Sequence, residues 1–320
     1  MIYGEELGAG GISTKTIPPQ GLNLTLKGGN GKIDCTFTGI ASQWLYLGQY
    51  YRLIAKPGSA PTSPMDGVQV KDVQVGAIGD AVISASIEGL TNGVQYYVRL
   101  YVRGENGWQT SVDAVGTATP LASVDAQTLA LGSLIRLDNA DGSYANWMAI
   151  DLNNRHPGML TLILNNPTIS CQYGSGVSYG STSNIVKANC ESIYAALSDR
   201  AKSVVLLSTF EYRYTNNSNY LTVSAYAFPP GHSDYHGKYQ YFSGDDYITK
   251  RIAYNPSGQA VGYWERDAAS TSYVWAIGDD GYGRSAGYSE TRYVRPIINI
   301  LPDTQVMAVT NADGSHSLAA

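Results

Sequence analysis

Gly89-Leu90-Thr91-Asn92-Gly93-Val94-Gln95-Tyr96-Tyr97-Val98-Arg99-Leu100-Tyr101-Val102 is the stretch whose reading decides the fold of the N-terminal part of this chain. Leu90 precedes a turn that uses Gly93. Tyr96 then opens a run in which Val98, Leu100 and Val102 share one face, because successive side chains of a strand point to opposite sides. This is the layout of a tyrosine corner, in which a phenol fixes a strand-to-strand crossover by bonding to backbone nearby. Working outward, Leu22, Leu24 and Leu26 alternate with polar residues, Gly28-Gly29-Asn30-Gly31 supplies a turn, and Ile33, Cys35 and Phe37 alternate again. Period-two patterning interrupted by Gly-Asn turns predicts an antiparallel sheet.

Residues 21–120 therefore resemble a fibronectin type III domain, a member of the immunoglobulin-like β-sandwiches. The segment Pro61-Thr62-Ser63-Pro64-Met65-Asp66-Gly67 is similar to a loop of such domains in phage structural proteins. The sequence departs from the family at Cys35, where a tryptophan is frequent, and Trp44 is expected to fill that space. Residues 1–20 are Gly-rich and end in Thr16-Ile17-Pro18-Pro19-Gln20, which cannot continue a helix, and they read as an attachment arm. The small uncharged stretch Thr117-Ala118-Thr119-Pro120-Leu121-Ala122-Ser123 marks a boundary, with 121–128 expected as a linker.

Beyond that boundary lie 18 of the 25 tyrosines. Leu131–Leu137, Trp147–Leu152 and Met159–Leu164 read as three short strands. Ser183-Asn184 to Ser198 reads as the one strong helix, capped by Ser183 or Asn184, with Ile185, Val186, Ile193, Tyr194 and Leu197 on its apolar side. Then come Val261-Gly262-Tyr263-Trp264-Glu265-Arg266-Asp267, Tyr273-Val274-Trp275-Ala276-Ile277 and Tyr293-Val294-Arg295-Pro296-Ile297-Ile298-Asn299-Ile300. The Tyr-Trp-x-Arg segment and the closing Val-Arg-Pro-Ile resemble the C-type-lectin-like, formylglycine-generating-enzyme-like group over 129–304, leaving 305–320 as a tail. The fold class expected is mainly β: an N-terminal Ig/fibronectin-III-like β-sandwich followed by a C-terminal α+β C-type-lectin-like domain. The resemblance implies a scaffold that displays loops. Tyr263, Trp264, Arg266, Arg295 and Pro296 read as structural rather than ligand-contacting, since a buried arginine can hold several loop carbonyls with its planar fork.

Two stretches carry the expected recognition surface. Phe228 to Tyr247 sets Tyr235, Tyr239, Tyr241 and Tyr247 among Gly, Ser, His and Asp, including Asp245, a composition found in adaptable binding loops. Gly278 to Tyr288 offers Tyr282, Arg284 and Tyr288 on a glycine-rich turn. Tyr235, Tyr239, Tyr241, Asp245, Tyr282, Arg284 and Tyr288 are thus the expected ligand-binding residues. Packed surface loops or subunit contacts remain open as alternative readings of both stretches.

Chemistry beyond binding has weaker support. His232 and His236 with Asp234 could suggest zinc, but Pro229-Pro230-Gly231 upstream disfavours the helix that would align them. Asp245-Asp246 and Asp279-Asp280 lack a full calcium ligand ladder. Neither a metal nor a cofactor is expected. A glycosidase would need two carboxylates across a cleft, for which Glu265 with Asp267 or Asp279 could be imagined. The formylglycine-generating relatives work through a cysteine pair late in the fold, whereas Cys171 and Cys190 lie early. These two and Cys35 read as buried thiols, with a Cys171 to Cys190 bridge left open.

A net charge of -5 argues against nucleic acid and anionic membranes as partners, both of which call for a basic face. Apolar runs are too short to span a bilayer, and Met1–Gly11, with Glu5 and Glu6, does not read as a secretory signal. Outward-facing domain types without that signal are reconciled by a bacteriophage virion protein, assembled in the host cytoplasm and exposed after lysis. Its expected partners are other virion proteins through the N-terminal region, and host cell-surface glycan or protein through the C-terminal domain, in a homo-oligomer. The rival expectations are a purely structural decoration protein and a carbohydrate-active enzyme.

Overall fold

The computed structural model describes residues 21–39, 49–75, 82–104, 107–214, 220–235 and 239–319. Residues 1–20, Trp44 and His236 lie outside them, as does the side chain of Tyr235. The chain is mainly β and divides into two compact units, Met1–Ala122 and Ser123–Ala319.

The first unit contains β1 (Thr25–Gly29), β2 (Lys32–Thr38), β3 (Gln49–Pro57), β4 (Gln69–Val75), β5 (Val82–Glu88), β6 (Tyr96–Gly104), β7 (Gly107–Gln109) and β8 (Val115–Ala118). One sheet has the order β1-β2-β5, and the other the order β4-β3-β6-β7 with β8 also on β6. The alternation in sequence becomes alternation in burial: Ile33, Cys35 and Phe37 of β2 point inward, as do Val98, Leu100 and Val102 of β6. Leu53 lies opposite Leu100 and Ala55 opposite Val98. The two sheets share one core, in which the Phe37 and Tyr51 rings lie 5.0 Å apart. The Thr91 amide donates to the Tyr96 phenol oxygen at 3.1 Å, and Gly93 takes φ +80°, a conformation that favours glycine. Pro61–Gly67 folds over the outer face of β3. Tyr101 donates to the Pro61 carbonyl, and a Cβ at Gly67 would stand 2.3 Å from the Ile54 side chain.

The second unit opens with β9 (Ser123–Asp125), β10 (Leu134–Asp138), β11 (Tyr144–Leu152) and β12 (Leu160–Leu164). β13 (Ser170–Gln172) leads to α1 (Ile185–Ala196), α2 (Asp199–Val204), β14 (Val205–Leu206), β15 (Ser208–Arg213), β16 (Tyr220–Ala225) and β17 (Ala227–Phe228). Two short helices, α3 (His232–Tyr235) and α4 (Tyr247–Arg251), precede β18 (Ala253–Tyr254), β19 (Ala260–Val261), β20 (Tyr263–Ala268), β21 (Tyr273–Ile277) and β22 (Gly283–Gly287). The unit closes with β23 (Thr291–Tyr293), β24 (Ile297–Ile300), β25 (Gln305–Met307) and β26 (Ser315–Ser317). A seven-stranded sheet runs β14-β24-β12-β11-β10-β26, with β17 also on β24, and a five-stranded sheet runs β13-β23-β20-β21-β22. The mostly apolar runs mark its interior: every residue of β12 and of β24 is buried, including Thr161 and Asn299, which bond to each other at 2.7 Å.

Three expectations need correction. The segments 121–128 and 305–320 contain ladder strands instead of a plain linker and tail: β9 pairs with β25, and β26 pairs in parallel with β10. Helix α1 is capped by the Asn184 side chain, which accepts the Lys187 amide at 2.8 Å, but Ile185 is exposed and the buried positions are Val186 and Cys190. Three shorter α-helices accompany it among the described residues. The cysteines are free, with Cys35 and Cys190 buried and Cys171 half-buried. Burial pushes the Cys35 thiol up to about 12.

Candidate functional site

The described residues from Phe228 to Asp234 are largely buried, because they wrap a buried guanidinium. Arg266, on β20, donates to the Glu211 carbonyl at 3.0 Å, the Pro229 carbonyl at 3.1 Å and Asp234 Oδ2 at 2.6 Å. Asp234 is itself buried, and also takes Arg155 Nε at 2.7 Å and the Gly231 amide at 3.0 Å. Burial works to raise the Asp234 carboxyl, but Arg266 and Arg155 overcome it and hold it at about 2. A Cβ at Gly231 would meet the Arg266 guanidinium at 2.7 Å, so the backbone passes against the arginine only as glycine.

Tyr239 follows this turn into the core. It is 0% exposed, with its ring 6.5 Å from Phe242 and 6.4 Å from His156, and burial raises its phenol well above the usual range. The expectation of Tyr239 as a ligand contact is therefore corrected. Tyr241 is half-buried, edge-on to Phe242, with the Lys250 ammonium 5.2 Å from its ring centre. Tyr288 is half-buried against the main core, a second departure from a projecting role. Asp245 is exposed, while its neighbour Asp246 pairs with Lys250 at 3.0 Å. Tyr282 is 56% exposed, and Arg284 is exposed but bonded to Asp280 at 2.5 Å. Of the seven expected residues, only Asp245, Tyr282 and Arg284 are exposed among those with described side chains.

The residues read as structural occupy structural places. Arg295 donates to the carbonyls of Leu164 (2.9 Å) and Arg251 (3.1 Å), and Trp264 Nε1 donates to the Cys171 carbonyl at 2.9 Å. Of the carboxylates considered for hydrolysis, Glu265 and Asp267 are buried and engaged, while Asp279 is exposed. Glu265 meets His232 Nδ1 at 2.9 Å, and the His232 ring stacks on Trp275 at 3.8 Å. Asp267 accepts the amides of Arg213 and His232, each at 2.7 Å. Burial pushes the Glu265 carboxyl up. Among the described residues no group of three or more His, Cys, Asp or Glu is placed to hold a metal, and no helix is long and apolar enough to cross a membrane.

A further recess lies elsewhere. A cleft of about 830 Å³ opens where β10, β11 and the end of β12 meet the C-terminal half of α1 and the segment 165–169. Leu134, Trp147, Leu164 and Ile193 supply apolar lining, while Asn139, Asn146, Asn165 and Asn166, with Ser143, Ser192 and Thr168, supply amides and hydroxyls. Tyr144 stands 47% exposed at this cleft, with the Arg136 guanidinium 3.8 Å over its ring and tied to Asp138 at 3.0 Å. Trp147 is fully buried, yet its indole N–H has no hydrogen-bond partner among the described residues, and neither has Asn146 Oδ1. These positions are scattered from 134 to 313, so no local motif announces the cleft. The nearest signal is the Asn146-Trp147 pair within β11 and the Asn165-Asn166 pair that follows β12. No known protein family, curated protein or solved structure matches the chain, so its chemistry is read from this geometry alone.

Proposed function

We propose that the chain is a bacteriophage virion protein, a fibre, tail or head decoration component, that carries a recognition domain for host cell-surface glycan or protein. In this reading the first unit is a fibronectin-III-like attachment domain. The pairing of β1-β2-β5 in one sheet and β4-β3-β6 in the other supports it, as does the Tyr96 to Thr91 bond that ties the crossover. The second unit is a lectin-like display domain, supported by a framework in which Arg266 and Arg295 hold loop carbonyls from inside.

The observation that carries the recognition role is the cleft of about 830 Å³, which falls in the usual size range of ligand sites, roughly 300–1,000 Å³. It sits on sheet and helix rather than on loops alone, so its walls are held in place before a ligand arrives. Repetition of the chain in a particle would turn modest single-site contacts into avidity.

Two measurements test this reading. Antibody raised against the chain should label intact particles, and the free chain in excess should compete with particles for adsorption to host cells. Absence of the chain from purified particles overturns the virion assignment. Labelling without competition favours the purely structural alternative.

A further inference from the structure

We infer that the cleft between β11, α1 and the 165–169 segment is a site for an uncharged, hydroxyl-rich ligand, a neutral sugar unit, with Asn166, Asn146 and Tyr144 as contacts. The inference rests on the recognition role proposed above, and deepens it by naming the site and the ligand's chemistry.

The argument begins with charge. Asp313 is the one charged side chain among the described lining residues, which include no lysine, arginine or histidine. Hydrogen bonds from Ser315 and Asn146 keep the Asp313 carboxyl low, at about 2, so it is ionised under any ordinary condition. A phosphate, sulfate or carboxylate entering this recess would meet a negative charge and find no lining cation to balance it. Arg136 lies near, over Tyr144, but is already paired with Asp138.

Hydrogen-bonding capacity gives the second step. Asp313 can only accept, so the 2.8 Å contact with Asn146 fixes the amide nitrogen toward it and leaves Asn146 Oδ1 as an acceptor without a partner. Asn165 Nδ2 donates to Asn166 Oδ1 at 2.5 Å, which leaves the amide nitrogen of the exposed Asn166 as a donor. An oriented acceptor and an oriented donor on one cleft suit hydroxyl groups, which both give and take a hydrogen bond.

Apolar surface supplies the third step. Leu134 and Ile193, both half-buried, line the recess, and Tyr144 exposes nearly half of its area there. A pyranose ring offers C–H faces to such surface and hydroxyls to the asparagines. A purely apolar ligand would leave the Asn146 and Asn166 amide groups without partners as it displaced water from them, which disfavours it.

The full chain should be titrated with neutral mono- and disaccharides covering gluco, galacto, manno, rhamno and N-acetylhexosamine stereochemistry. N-acetylneuraminic acid and glucose 6-phosphate serve as charged controls, with saturation-transfer NMR and tryptophan fluorescence as readouts. At least one neutral sugar should bind and neither control should. Asn166→Ala and Tyr144→Ala, both at exposed positions, should each weaken binding about tenfold, the loss of one good contact, while Tyr273→Ala, at an exposed position outside the cleft lining, leaves it unchanged. Failure of every neutral sugar, equal binding of the charged controls, or indifference to both variants overturns the inference. Host-cell binding by the chain that persists through Asn166→Ala and Tyr144→Ala sinks the cleft and spares the recognition role, with a protein receptor as the other source of affinity. Loss of particle adsorption competition in the wild-type chain, with sugar binding intact, does the reverse.

Discussion

The two units solve the same problem with different chemistry. The first buries an alternation: its core is Ile33, Phe37, Leu53, Val98, Leu100 and their neighbours, and Ser111 is the one buried polar residue among its described positions. The second also has an apolar centre, but it sinks Asp151, Asp234, Glu265, Arg266, Asp267, Arg251 and Arg295 into it. An apolar core is held by area, and tolerates exchange of one hydrophobe for another of similar volume. A core that includes buried ions is held only if each charge keeps its partners, because an abandoned one costs more than the pair contributed. The difference follows from architecture. Between its sheets the second unit carries long connections, and their carbonyls need donors that β ladders do not provide. Arg266 and Arg295 are those donors.

The sharpest test of this contrast removes one ion. Arg266→Leu should destabilise the second unit by about 3–5 kcal/mol, because Asp234 keeps its burial and loses its main partner. The double change with Asp234→Leu should recover part of that loss in calorimetry. If the single variant melts like the wild type, the second core does not depend on its charges.

Acid should separate the units next. Burial depresses His156 to about 4 from an ordinary value of 6.5, so the unfolded chain binds its proton first, and stability is lost as pH falls from about 6.5 toward 4. Asp234, held at about 2, adds a loss below its ordinary 3.8 as pH falls toward 2. At 1.36 kcal/mol per unit these are on the order of 3 and 2 kcal/mol. Glu265 works against them, since its raised carboxyl takes up a proton in the folded state. Chemical denaturation of the full chain at pH 7, 5 and 3 should show the second unit weakening first. Equal weakening of both units would break the comparison.

Smaller effects mark the first unit and the surface. Tyr96→Phe removes the bond to the Thr91 amide and should cost about 1 kcal/mol, read by hydrogen exchange in residues 21–120 with the second unit unmoved. Tyr282→Ala, at an exposed site, should change stability by less than about 0.5 kcal/mol.

Much of the strand content was legible, because periodicity is a local signal. Met159–Leu164 and Ile297–Ile300 read as strands from their mostly apolar runs, and Asn184 as a cap from its place before an amphipathic run. The Phe228 to Tyr247 segment misled for a physical reason. Tyrosine, glycine, aspartate and histidine make an adaptable surface when exposed, and the same residues line a turn around a buried guanidinium when the partner is Arg266, far along the chain. Composition does not say which, since pairing across 32 residues leaves no trace in either stretch alone. The cleft was hidden for a related reason. Its asparagines and serines are unremarkable singly, and become a site only where β11, α1 and the 165–169 segment converge.

Strand β26 lies in parallel beside β10, joining Ser315 to Leu134. On a ribosome, the edge of β10 that this strand covers stays bare until residue 317 has emerged from the exit tunnel. The second unit thus completes its largest sheet only once β26 has emerged, while the first can finish much sooner. A chain stopped short of Ser315 would leave a row of unmet amides and carbonyls open to neighbouring molecules, which makes the final strand a seal against aggregation.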